Sequence, residues 1–134
     1  LGAKPILKAR KVNNSFNLVT PSLMNITGMR KAYDEENFRP MLQVQFVDTF
    51  EEAIEAANNT KYGLAAGLIS DNKNLFNEFV DRVNAGVINF NSTTTGASGA
   101  FPFGGIGRSG NLRPAGYYAA DYCAWPKASI IKQL

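Results

Sequence analysis

These 134 residues contain no histidine, and Cys123 is the single cysteine. Without histidine, no Ser-His or Cys-His catalytic arrangement and no His-based metal site can be assembled. One cysteine excludes an internal disulfide and any cysteine-rich zinc site, so no metal is expected. No apolar run approaches the ~18 residues of a membrane span, and no segment has the layout of a secretory signal. A cytoplasmic location with no membrane partner is therefore expected. Charge is also sparse, with 14 basic against 11 acidic residues leaving +3. The run Lys8-Ala9-Arg10-Lys11 reads as a solvated segment. It is not the clustered basic face with stacking aromatics that a nucleic-acid partner requires.

What is present is ordinary for a globular chain: 45% hydrophobic and 19% charged residues. A chain of this length has the means to bury roughly 68% of its unfolded surface. Residues 41–47, MLQVQFV, alternate with period two and predict a strand with Leu42, Val44 and Phe46 on its buried face. Thr49-Phe50-Glu51-Glu52 then reads as a capping box opening a helix that Asn58-Asn59 ends. LAAGLIS (64–70) predicts a buried strand. A second helix follows from Asp71, with Leu75, Phe76, Phe79, Val80 and Val83 on one face. Gly86 stands where a helix-terminating glycine belongs, and VINF (87–90) restarts a strand. Strand, helix, strand with tight joins is a βαβ crossover, so the expected class is α/β, a mixed and largely parallel sheet with flanking helices.

Residues 91–116 are rich in Gly, Ser, Thr and Asn and read as one long loop, a form usually kept for function. Pro114 is placed to open a short helix through Asp121, and the tail CAWPKASIIKQL reads as extended chain. The first 26 residues read as irregular, with a strand near Phe16 to Val19. Within the long loop, Gly105, Gly107 and Gly110 stand in the register G-x-G-x-x-G of dinucleotide-binding turns. That reading fails on context. No strand precedes the glycines, no helix opens after them, and no acidic residue lies about 20 positions on.

Three segments in order give the glycines another meaning. PFGGIGRSG (102–110), DEENFRP (34–40) and EEAIEAANNTKYGLAAGLIS (51–70) resemble, in sequence and spacing, motifs of the aldehyde dehydrogenases. The stretch from Thr93 to Ser129, above all YYAADYCAWP, is similar to family members acting on N-succinyl-L-glutamate 5-semialdehyde in arginine catabolism. The resemblance implies an NAD-dependent oxidoreductase converting that aldehyde to N-succinylglutamate. It implies further that residues 1–116 are the later part of the family's catalytic domain. Residues 117–134 would be a C-terminal helix plus an extended strand by which a homo-oligomer assembles.

Residue by residue, the resemblance assigns Glu36 to the nicotinamide-side ribose hydroxyls of NAD and Phe38 to packing beside the nicotinamide. It assigns Gly96 and Ala97 to binding the substrate carboxylate through backbone N–H groups, which small residues leave unobstructed. Ser98 adds a hydroxyl donor, and Phe103 an aromatic wall of the substrate channel. Arg39 departs from the family glycine, and a left-handed backbone there would be strained. The family nucleophile and general base lie upstream of these motifs, so no catalytic residue is expected here. Cys123 then reads as a packed small residue, and the chain as a carboxyl-terminal fragment inactive alone. Two other readings stand beside this one: a dehydrogenase of succinate or glutamate semialdehyde, and a non-catalytic α/β assembly module sharing the motifs.

Overall fold

The computed structural model describes residues 2–13, 17–29, 34–96, 98–110, 112 and 114–133. The chain divides into two compact units, Leu1–Ala56 and Ala57–Leu134.

In the first unit, β1 (Lys4–Leu7), β2 (Ser22–Asn25) and β3 (Met41–Val44) form one sheet with β2 central. β1 runs antiparallel to β2, and β3 runs parallel to it with Ser22 opposite Met41. Pro5 lies in β1, an edge strand with a register shift between Pro5 and Leu7, and edges and bulges are where strands tolerate proline. Beyond β1 the pairing continues through the Lys11–Val19 bridge, where Arg10 donates its N–H to Thr20 Oγ1 at 2.9 Å. Lys4–Leu7, Ser22–Asn25 and the Lys11–Val19 bridge are thus paired where irregular chain is expected. β1 escapes sequence reading because every residue of it is exposed, which leaves no apolar alternation to detect. Phe16 lies outside the described residues.

The strand read over 41–47 is paired only as far as Val44, and Leu42 and Phe46 remain 64% and 62% exposed. The alternation exists, but this chain does not cover the face it creates. α1 (Phe50–Asn58) follows and buries Ile54. Thr49 Oγ1 accepts the Glu52 N–H at 3.2 Å, as a capping box requires. Glu52 Oε2 in turn accepts the Asp48 N–H at 2.8 Å, one residue further back than the usual reciprocal bond.

In the second unit, β4 (Tyr62–Gly63) leads into β5 (Ala65–Leu68), α2 (Lys73–Arg82) and β6 (Val87–Phe90). β5 and β6 pair in parallel from Ala65–Val87 to Leu68–Phe90, which completes the crossover. Phe76 of α2 stacks on Phe90 of β6 with ring centres 4.7 Å apart, while Phe79 and Val83 are buried. Asn72 caps the start of α2 by accepting the Asn74 N–H at 3.0 Å. At its other end Asn58 donates Nδ2–H to the Arg82 carbonyl and accepts the Asn84 N–H, both at 2.8 Å. An asparagine from the end of α1 therefore performs the task expected of Gly86. Gly86 is required for a different reason: a Cβ there would collide with the Gly104 carbonyl and lie 3.1 Å from Gly105 Cα.

The segment read as one loop, 91–116, contains β7 (Pro102–Phe103), β8 (Ile106–Gly107) and β9 (Ala115–Gly116). β8 pairs antiparallel with β4, and β7 with β9. Two-residue strands carry no periodicity, so composition alone makes them look like loop. Pro114 precedes β9 and opens no helix. α3 is a single turn, Ala119–Tyr122, after Gly116 reverses the chain at φ +64°. Residues 123–133 form neither helix nor strand, and Trp125 and Ile130 are 91% and 93% exposed. The class is mixed α/β as expected, with parallel pairing in β2–β3 and β5–β6 and antiparallel pairing elsewhere.

Candidate functional site

The glycine fingerprint is a tightly packed turn. Gly105 approaches Ser109, Gly107 approaches the Lys61 carbonyl at φ +56°, and Gly110 approaches the Gly105 carbonyl so closely that no Cβ fits at any of the three. Arg108 donates its N–H to Lys61 O at 2.8 Å, and Ser109 Oγ accepts the Gly63 N–H at 3.2 Å. These bonds tie the turn to β4. The N–H groups of Arg108, Ser109 and Gly110 all go to backbone carbonyls, which leaves them unavailable as a phosphate cradle.

The turn and β7 enclose a cleft of about 390 Å³ lined by Leu64, Phe103, Gly104, Arg108, Ser109 and Ala115 among others. Phe103 thus faces an open volume. Arg108 and Ser109 are additions that sequence reading passes over, because it treats them as spacers between glycines. Upstream of β7, Ser98 organises a compact turn. Its hydroxyl oxygen accepts the Ala100 N–H and its carbonyl accepts the Phe101 N–H, both at 3.2 Å. The hydroxyl keeps its own proton for donation. Gly96 has open space on its Cβ side, with nothing within 4 Å. Ala97 lies outside the described residues.

The departure point of this segment is pinned by Asn91, another residue that composition does not single out. Its Oδ1 accepts the Ser70 N–H at 2.9 Å and its Nδ2 donates to the Ser70 carbonyl at 2.8 Å, while its own backbone sits at φ +50°. Asn89 Nδ2 holds the Thr93 carbonyl at 2.7 Å. Asn91→Ala loses both side-chain bonds and leaves a Cβ residue in the left-handed region, so a loss of about 2 kcal/mol in unfolding free energy is expected. Asn91→Gly loses the same bonds without that strain and is expected to be milder by about 0.5–1 kcal/mol, although its unfolded chain is freer. Urea unfolding of the two variants tests the order.

In the first unit, Glu36 is exposed and Phe38 is 88% exposed. They sit on a turn in which Asn37 Oδ1 accepts the Arg39 N–H at 3.3 Å, Arg39 O accepts the Met41 N–H at 2.7 Å, and Pro40 O accepts the Ser22 N–H at 2.9 Å. Arg39 is not among the described non-glycine residues with positive φ, so the strain expected from replacing a glycine does not arise. An accessible carboxylate and an accessible aromatic face suit a ribose diol and a planar heterocycle. Glu36 and Phe38 belong to the first unit, and Gly96, Ser98 and Phe103 to the second. Among the described residues no group of three His, Cys, Asp or Glu side chains converges on a metal site, and no helix is long and apolar enough to cross a membrane.

Comparison with known proteins places the chain among relatives. Residues 1–128 match the model of the aldehyde dehydrogenase family. N-succinylglutamate 5-semialdehyde dehydrogenase of Escherichia coli strain K12 is 47% identical over 130 residues, which is 97% of this chain and 26% of the relative. N-succinylglutamate 5-semialdehyde dehydrogenase 2 of Caulobacter vibrioides is 56% identical over 110 residues, 82% of this chain and 22% of the relative. The chain therefore spans about a quarter of the length of these curated relatives. Among solved structures, an NAD+ complex of an aldehyde dehydrogenase from Bacillus cereus is similar with TM-score 0.73 and 31% identity. That match covers 90% of this chain and 24% of the other.

Proposed function

The chain belongs to the aldehyde dehydrogenase family, and from that premise we propose that it is part of an NAD-dependent enzyme oxidising N-succinyl-L-glutamate 5-semialdehyde to N-succinylglutamate. The observation that carries this reading is the near full-length likeness of the chain to enzymes named for that aldehyde. In this reading NAD, when bound, supplies the hydride acceptor. Glu36 accepts hydrogen bonds from ribose hydroxyls, and Phe38 lays an aromatic face against the nicotinamide side and keeps water from it. The Gly96–Ser98 segment offers N–H and hydroxyl donors to a substrate carboxylate, and Phe103 walls the channel beside it. In this reading the enzyme works in the cytoplasm, in arginine catabolism.

The thiol nucleophile and the general base come from sequence outside these residues. Cys123 is an exposed thiol just after α3 and not the packed small residue expected from sequence; the assignment rests on no motif matching it to the family nucleophile. Cys123→Ser in the full-length enzyme is expected to leave kcat within about twofold of the parent, the small range of most surface changes. Loss of turnover would make Cys123 the nucleophile. The apolar surface supports assembly with further protein. Among the described residues only Ile54, Phe79 and Val83 are buried hydrophobics, whereas Trp125, Ile130 and Ile131 stand open on the tail. Large apolar side chains left open in this number are suited to covering by further protein. In this account residues 117–134 serve a homo-oligomer.

The reading is tested by mixing purified full-length enzyme with the succinylated semialdehyde and NAD. Equimolar NADH and N-succinylglutamate are expected. No NADH from an enzyme that oxidises other aldehydes would reject the substrate. No NADH from any aldehyde would favour the assembly module.

A further inference from the structure

The turn that presents Phe38 is closed by a side chain, and that has a consequence for the cofactor contact. Phe38 is 88% exposed, so packing within this chain does not hold its ring. Its direction is set by the backbone that carries it. That backbone is tied at Ser22 through Pro40 and at Met41 through Arg39, both downstream of the ring. Asn37 closes the upstream side, accepting the Arg39 N–H across Phe38 at 3.3 Å. An asparagine side chain bonded to the backbone two residues on mimics a backbone turn and limits the conformers of the residue between. Here the residue between is Phe38 itself.

The geometry points to Asn37 as a positioning residue for the cofactor contacts of Glu36 and Phe38: its carboxamide clasps the Arg39 N–H and pre-forms the turn that aims both side chains outward. The inference rests on the proposed cofactor role of Glu36 and Phe38. It also accounts for Arg39. A glycine would leave this turn loose, whereas a non-glycine residue with its N–H held by Asn37 narrows it without entering the left-handed region.

The test uses the full-length enzyme with four proteins: the parent, Asn37→Ala, Asn37→Asp and Glu36→Gln. Removing one hydrogen bond that pre-orders a binding loop is expected to raise KM for NAD about fivefold in Asn37→Ala. The change in kcat is expected to stay below about twofold, because the turn acts before chemistry. Asn37→Asp keeps an oxygen acceptor at the same place and is expected to return KM to within about twofold of the parent. NADH titration followed by fluorescence reads the same loss without turnover. If Asn37→Ala matches the parent while Glu36→Gln is impaired, the clasp is unimportant and the inference falls. It also falls if Asn37→Asp behaves like Asn37→Ala, since the acceptor would then be irrelevant. If Glu36→Gln and Asn37→Ala both bind NADH as the parent does, the cofactor reading beneath the inference fails with it.

Discussion

Gly86→Ala is expected to unfold the second unit at ordinary temperature or lower its melting temperature by about 10 °C or more. The added methyl group meets the Gly104 carbonyl and Gly105 Cα, both backbone atoms of the connection between β7 and β8. On its own side Gly86 donates to the Gly63 carbonyl at 3.1 Å, and Val87 to Leu64 at 3.0 Å, so β6 cannot retreat without losing its start. Over-packing with rigid backbone on both sides costs about 3 kcal/mol or more. Gly96→Ala is the matched control. It adds the same methyl group where nothing lies within 4 Å, and its unfolding is expected to stay within about 0.5 kcal/mol of the parent. Thermal scans of the two variants test the contrast. Equal melting temperatures would mean that the β6 and β7–β8 backbones do not meet as described.

Glu36→Gln is expected to lower kcat/KM for NAD by about 10- to 100-fold with no change in melting temperature. A carboxylate accepting two ribose hydroxyls forms charge-assisted bonds worth about 1.5–3 kcal/mol each, and the amide keeps one neutral acceptor oxygen. The absence of a stability effect follows from exposure, since Glu36 is not part of a buried network. Steady-state kinetics at varied NAD, with a melting curve on the same preparation, separates the two effects. An unchanged kcat/KM would remove Glu36 from the cofactor site.

The parts of the fold that could be read from sequence are those where burial imposes a period. α2 carries Phe76 and Phe79 at helical spacing, with Val83 at its C-cap, because that face packs inward with Phe76 on Phe90 of β6, whereas Val80, expected on the same face, is exposed. β5 and β6 are short apolar runs flanked by turns, and their parallel pairing follows from the helix between them. β1, β2 and the two-residue strands β7 to β9 have no such signature, because β1 is exposed, β2 is evenly half-buried, and the others are too short to alternate. Leu42 and Phe46 show the opposite failure, a clear pattern on a face this chain leaves open. Glycines are read with mixed success: Gly86 reads as a helix stop and is a close contact, while the Gly105–Gly110 series matches a phosphate-cradle pattern that its context already rules out, and it is a packed turn.

The candidate site divides along the same line. Glu36, Phe38 and Phe103 are proposed through motif likeness, since the chemistry asked of them is carried by residue type. Asn37 and Asn91 are not, because an asparagine that braces a backbone looks in sequence like any polar loop residue. Arg108 is hidden in the same way, and only the cleft shared with Phe103 brings it forward. The residues that position the site are therefore those that structure adds.

The most direct test of the account is substrate choice. Specificity constants of the full-length enzyme with NAD should be measured for N-succinyl-L-glutamate 5-semialdehyde, glutamate 5-semialdehyde and succinate semialdehyde. The succinyl group adds a carboxylate and an amide for the site to bond, and one hydrogen-bonded charge alone is worth about tenfold or more. The account predicts that the succinylated aldehyde is preferred over both others by at least about that factor. A higher constant for either unsuccinylated aldehyde would contradict it.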